Sequence, residues 1–117
     1  MRNGVDIVDV SRFENMSSNV LERMFTPNEI KYCIKFRDCA EHFAGTFAAK
    51  EAVMKVLGVG IDSIPLLDIE VLHEASGRPV IAIKGKAKEF FKKLKLKELE
   101  ISISHTSTLA IAFATGI

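Results

Sequence analysis

The stretch "FAAKEAVMK", residues 47–55, sets one glutamate and two lysines into a run of alanine and large apolar side chains. At helical spacing Phe47, Glu51 and Lys55 share a face, because residues four apart are neighbours on a helix. Extended outward, the pattern predicts a long helix over 40–57, stopped by Gly58. Its apolar stripe is Phe43, Phe47, Val53, Met54 and Leu57, and Ala44, Gly45, Ala48, Ala49 and Ala52 form a second, small face. Such a face lets another backbone approach closely. Its expected partner is the last strand, where Ala110, Ala112 and Ala114 share one side.

Around this helix the chain alternates less regularly. Residues 4–10, GVDIVDV, read as a β-branched strand. Ser11 offers a cap for one or two helical turns carrying Arg12, Phe13 and Met16, and residues 17–19, SSN, read as a loop. Thr26-Pro27-Asn28-Glu29 combines a cap, a proline at the first helical position and a capping box, and predicts a helix over 27–36. Leu67 to Val71 alternates with period two, Ser76 to Pro79 is a turn and 80–83 the return strand. Helical spacing returns over 85–96, and 100–104 with 109–113 make a terminal hairpin across His105 to Thr108. The fold class expected is α+β, a single domain over 1–117 with a mostly antiparallel sheet on a long central helix.

Bulk composition narrows the function. With 117 residues, 48 % hydrophobic and 26 % charged, the chain can bury a core. A net charge of +1 gives no overall pull toward nucleic acid or membrane. The apolar start is interrupted by Asp6 and Asp9, so it reads as a strand rather than a signal peptide, and no run is long enough to span a bilayer. Cys33 and Cys39 are too few for a disulfide scaffold; with His42 they lack a fourth ligand and a zinc spacing. Both are expected as reduced thiols, in a cytoplasmic protein. Ser104-His105 sits in no nucleophile elbow. The lysines between 84 and 97 form a solvated face or a surface for an anionic partner.

Asp6 interrupts a strand and Glu51 a helix, and a buried carboxylate is costly unless paired or bound to metal. Oxygen ligands in low number, with room for water and phosphate, suit Mg²⁺. The plainer alternative is an exposed Asp6 and an ordinary Glu51–Lys55 surface pair, worth about 0.2–0.5 kcal/mol.

Gly4-Val5-Asp6 followed by Phe47-Ala48-Ala49-Lys50-Glu51-Ala52-Val53-Met54-Lys55 resembles the two-part signature of 4′-phosphopantetheinyl transferases. Phe25-Thr26 with Glu29, Gly58 to Ile61, Asp68-Ile69-Glu70, Gly77-Arg78-Pro79 and Ile101 to Thr106 are similar to the small bacterial type, the holo-[acyl-carrier-protein] synthase family. The resemblance implies transfer of phosphopantetheine from coenzyme A to a serine of apo acyl carrier protein, with adenosine 3′,5′-bisphosphate as the other product. It implies that Asp6 and Glu51 hold Mg²⁺ against the pyrophosphate and that Lys55 contacts that pyrophosphate. Glu51, directly or through a water on the metal, is the implied base. His105 and Thr106 match positions near the nucleotide and its 3′-phosphate, and the Gly77-Arg78-Pro79 turn matches the adenine-side loop. Arg12 and Met16 stand where carrier docking is expected, and the family pattern is a homotrimer with shared active sites. Thr46 departs from the arginine common at that place, leaving a phosphate contact for Lys50 or another lysine. Two other readings stay open: a non-catalytic module binding an acidic protein, and a Mg²⁺-dependent phosphatase acting on small nucleotides.

Overall fold

The computed structural model describes residues 1–117. Strand β1 (Arg2–Asp9) leads through a 3-10 turn, Val10–Phe13, into helices α1 (Ser18–Met24) and α2 (Pro27–Cys33). Helix α3 (Cys39–Leu57) follows, then β2 (Ile69–His73), β3 (Pro79–Ile83), α4 (Gly85–Lys93), β4 (Leu99–His105) and β5 (Leu109–Gly116). Two antiparallel sheets result, one of order β1-β5-β4 and a β2-β3 hairpin. The α+β class with an antiparallel sheet on a long helix is therefore present.

The small face of α3 explains its place. Ala44, Ala48, Ala49 and Ala52 are fully buried, as are Ala110 and Ala114 on β5, with Ala112 at 1 % exposure. Gly4 of β1 sits so close that a Cβ there would stand 2.0 Å from the Ala52 carbonyl oxygen. With the aromatic stripe packed on the other side, α3 is buried nearly all round, in a core of 24 residues. Gly58, at φ 75°, closes the helix: its amide donates to the Lys55 carbonyl, and that of Val59 to Met54.

Several boundaries differ from the sequence expectation, each for a local reason. Residues 17–19 are not a loop: Ser17 caps α1, accepting from the Val20 amide at 3.4 Å. Helix α2 ends at Cys33 rather than 36, since Phe36 turns back to stack on His42 at 3.7 Å. Leu67 and Asp68 lie in a 3-10 turn behind Pro65, so β2 starts at Ile69. Helix α4 stops at Lys93, not 96, because Lys95 takes φ 57° and the Leu96 amide reaches the Phe91 carbonyl. The terminal strands run longer than expected, to His105 and Gly116, because both pair with one another along that length.

The capping box of α2 forms as read and does more. Thr26 Oγ1 accepts from the Glu29 amide at 3.2 Å, and Glu29 Oε1 accepts from the Thr26 amide at 2.8 Å. Glu29 is itself buried; its Oε2 accepts from the Val71 amide at 2.7 Å, and its Oε1 meets Lys50 Nζ at 2.7 Å.

Candidate active site

Between residues 43 and 57 every side chain of α3 is buried except two, Glu51 and Lys55. Both sit one turn apart on the edge of the helix facing β1. Asp6 lies on β1 opposite Ala112, on the helix-facing side of the sheet with Gly4 and Val8. Lys55 Nζ donates to the Val5 carbonyl at 2.7 Å and lies 3.4 Å from Asp6 Oδ1. The ordinary Glu51–Lys55 surface pair is therefore absent; the lysine belongs to Asp6.

Glu51 is left without a cationic partner in contact. Burial, then the nearby Asp6 charge, raise its pKa, against smaller lowering by Lys55 and Arg12. A carboxylate whose ionisation is opposed by a neighbouring carboxylate belongs to the kind of oxygen donor set that a hard divalent cation relieves, so Asp6 and Glu51 fit Mg²⁺. Arg12 sits over the Phe47 ring, its Cζ 5.0 Å from the centroid, near enough for its charge to act on Glu51. Met16 is half-buried against the core.

Lys50 requires a correction. It is fully buried, paired with Glu29 and donating to the Leu66 carbonyl at 3.1 Å. Burial lowers its pKa, and the Glu29 carboxylate pulls it back up. Its ammonium is committed inside the protein and takes no phosphate contact in place of Thr46. Sequence reading missed Glu29 as its partner, because a capping carboxylate is normally at the surface.

Farther along α3 a second group assembles. Glu41 and Glu51 are ten residues apart, about 15 Å along a helix axis. Near Glu41 a cavity of about 150 Å³ is lined by Tyr32, His42, Thr46, His73, Gly77, Pro79 and His105, among others. The turn at Gly77, φ 92°, and the hairpin His105 thus line one cavity. Tyr32 stacks on His73 at 3.7 Å, and the His73 Nδ1 is buried with no hydrogen-bond partner. Arg78 does not face this cavity; it is held by Glu74 and Glu100. Thr106 serves the hairpin, its Oγ1 accepting from the Thr108 and Leu109 amides at 3.2 and 3.1 Å. His105 Nδ1 meets Glu41 Oε1 at 2.8 Å, and with Asp38 these offer ligand atoms within 4.8 Å of one another. Tyr32 and His73 carried no sequence signal beyond their ring chemistry, and His42 stood out only beside Cys33 and Cys39; the fold alone collects the three.

Cys33 is not a metal ligand in waiting. Burial pushes its thiol up to about 12, and its Sγ rests 3.7 Å from Thr46 Oγ1. Thr46 donates in turn to the His42 carbonyl at 2.8 Å. Two larger grooves, of about 290 and 500 Å³, lie beside α1 and α2 and contain neither Asp6 nor Glu51. No cavity of the single chain encloses Asp6, Glu51 and Lys55.

Comparison with known proteins places this geometry. The sequence profile of the 4′-phosphopantetheinyl transferase superfamily matches residues 2–114. The holo-[acyl-carrier-protein] synthase of Thermoanaerobacter sp. (strain X514) is 44 % identical over 117 residues, covering 97 % of this chain and 85 % of that protein. The corresponding protein of Geotalea daltonii is 40 % identical over 114 residues, covering 93 % and 91 %. Among solved structures, Helicobacter pylori holo-[acyl-carrier-protein] synthase in complex with coenzyme A superposes with a TM-score of 0.84 at 34 % identity, covering 98 % of this chain and 99 % of that one. The Bacillus anthracis protein in complex with CoA (3′,5′-ADP) gives 0.81 at 31 %, covering 98 % and 94 %. Profile, relatives and superposition agree over nearly the whole length, and the chain belongs to the 4′-phosphopantetheinyl transferase superfamily, among the holo-[acyl-carrier-protein] synthases.

Proposed function

We propose that this chain, acting as one transferase domain, moves 4′-phosphopantetheine from coenzyme A to a serine of apo acyl carrier protein. The observation that carries this reading is the exposure of only Glu51 and Lys55 on an otherwise buried stretch of α3, opposite Asp6. Family membership supplies the substrate pair, since relatives named for this activity match almost end to end.

In this reading the serine Oγ forms a bond to the β-phosphorus of coenzyme A. The bond to the leaving adenosine 3′,5′-bisphosphate breaks, and the serine proton passes to Glu51. Glu51 takes that proton directly or through a water, the general-base role that a positioned carboxylate can fill. Asp6 and Glu51 are the residues that would hold Mg²⁺. When bound, the ion would neutralise charge on the pyrophosphate oxygens. Lys55 adds a fixed ammonium, oriented by the Val5 carbonyl and Asp6. The cavity at Gly77, Pro79 and His105 would take the nucleotide end, and Arg12 with Met16 would meet the carrier. Arg78 contributes through its backbone, its side chain being occupied by Glu74 and Glu100.

The site is open on a single chain, which supports a homotrimer with shared active sites. The outer face of the three-stranded sheet carries Val5, Ile7, Leu109, Ile111 and Phe113, all more than 40 % exposed. A patch of this kind marks an interface. No helix is long and apolar enough to cross a membrane. Free Cys33 and Cys39 accord with a cytoplasmic location.

The test is the mass of an apo carrier protein after incubation with coenzyme A and Mg²⁺. Addition of the phosphopantetheine mass is expected, with loss of the addition under chelation. Glu51→Gln is expected to cut turnover by about 10²–10⁴-fold with unchanged thermal stability. Unchanged turnover would remove Glu51 from the chemistry.

A further inference from the structure

Seven lysines between residues 84 and 97 (Lys84, Lys86, Lys88, Lys92, Lys93, Lys95 and Lys97) face the single Glu89. That segment carries a net +6 in a chain of formal charge +1, so the rest of the molecule carries −5. All seven lysines are exposed, and none of their ammonium groups has a carboxylate within 4.0 Å; the carboxylate at the start of this helix, Asp68, accepts from the Lys86 backbone amide at 2.9 Å. The molecule therefore has a concentrated positive pole on α4 and the loop after it, which no internal ion pair cancels.

The pole has a defined position. Leu96 and Val56 flank Gly116, whose strand partner is Arg2. The Arg2 guanidinium donates to the Val56 carbonyl at 2.7 Å, while the Lys97 amide donates to the Ile117 carbonyl at 2.6 Å. The lysine segment thus abuts the C-terminal end of α3, the end that bears Glu51 and Lys55. The opposite end bears Asp38 and Glu41. Helix α4 turns Ala87, Phe90, Phe91 and Leu94 inward, so its outer face offers charge and no apolar side chain that could enter a bilayer.

We propose that the lysine face of α4 is a second docking surface for an acidic carrier protein, separate from Arg12 and Met16, which steers the carrier toward the Glu51 end of α3. This rests on the transfer reading above. Steering by a concentrated pole raises association rates and is screened by salt. Lysine is suited to this use, because its flexible stem meets many anion positions and demands no single geometry.

The test replaces three lysines together, Lys84→Gln, Lys88→Gln and Lys92→Gln. At low salt KM for the apo carrier is expected to rise by about tenfold, with kcat and KM for coenzyme A unchanged. The difference should vanish at about 0.5 M salt, where charges are screened within a few ångströms. An unchanged carrier KM and salt slope overturns the proposal, as does an equal rise in KM for coenzyme A. Sedimentation with phosphatidylglycerol vesicles by the native protein but not the triple variant, beside an unchanged carrier KM, assigns the face to membrane and also overturns it. If the native protein transfers nothing, the transfer reading fails separately. Direct titration of the apo carrier onto native and triple-variant protein then decides the surface: weaker binding to the variant supports it, equal binding overturns it.

Discussion

The two lysines of the 47–55 stretch have opposite fates, and their neighbours determine which. Lys50 is sealed against Glu29, whereas Lys55 stands half-exposed between a carbonyl and Asp6. Removing one partner of a buried pair strands the other charge, so Lys50→Met is expected to cost about 3–5 kcal/mol of stability in denaturant unfolding. Lys55→Met should cost under about 1 kcal/mol, as for other exposed pairs, while lowering transfer sharply. Glu51 offers a pH test. Its folded pKa is raised, so it holds a proton above the ordinary carboxylate range, and its ionised form is disfavoured by folding as pH rises through that value. In the metal-free protein the resulting loss of stability lies on the alkaline side of the usual carboxylate titration. Asp6→Asn removes the second-largest cause of the shift, so the Glu51 carboxyl should titrate at lower pH in the metal-free variant. Carbon-detected NMR of that side chain checks the direction. Of these roles, sequence showed which residue types were available but not which lysine was buried. The partner of Lys50 lies on another helix, and the pairing exists only after packing.

At the scale of elements, one close approach sets the site. Gly4 lets β1 lie against the backbone of α3 at Ala52, which brings Asp6 within electrostatic reach of Glu51. Gly4→Ala must push strand and helix apart, because a backbone oxygen stands in the way. A loss of about 1–3 kcal/mol in stability is expected, with a larger relative fall in kcat than the same loss produces elsewhere. Helix α3, its glycine stop and the alanine seam were legible because small and large residues repeat at helical spacing over many turns. The capping box at Thr26 was legible for the same reason: its signal is local. Helix α1 was not, since its seven residues give Val20, Leu21 and Met24 too short a run to establish a period, none of them is fully buried, and its Ser17 cap reads equally well as a turn. The 3-10 turn at Leu66–Asp68 was hidden because alternation there continues into β2. The cavity at Gly77 and His105 was only partly legible. Gly77 and His105 sit on recognisable turns, but Tyr32, His42 and His73 meet there from three separate segments.

At the scale of the whole molecule, the sheet's apolar outer face is where the proposed trimer can be tested. Ile7 is 62 % exposed and Phe113 47 %, on neighbouring strands, so Ile7→Glu with Phe113→Glu should convert the proposed trimer to monomers in light scattering. Transfer should fall with it, because Asp6, Glu51 and Lys55 have no enclosing wall on one chain. A second property of the whole concerns how the protein comes apart. Glu29 terminates α2, neutralises a lysine of α3 and receives the Val71 amide of β2. Thr26 extends the same junction, its hydroxyl donating to Glu70 at 2.5 Å. One carboxylate is thus shared by a helix start, a central helix and a hairpin, and no one of the three can detach without exposing a buried charge on another. Partial opening is priced out of the ensemble at this junction. The amide protons of α2, of β2 and of the middle of α3 are therefore expected to exchange with solvent in a single concerted event, rather than each at its own rate, in a hydrogen-exchange measurement.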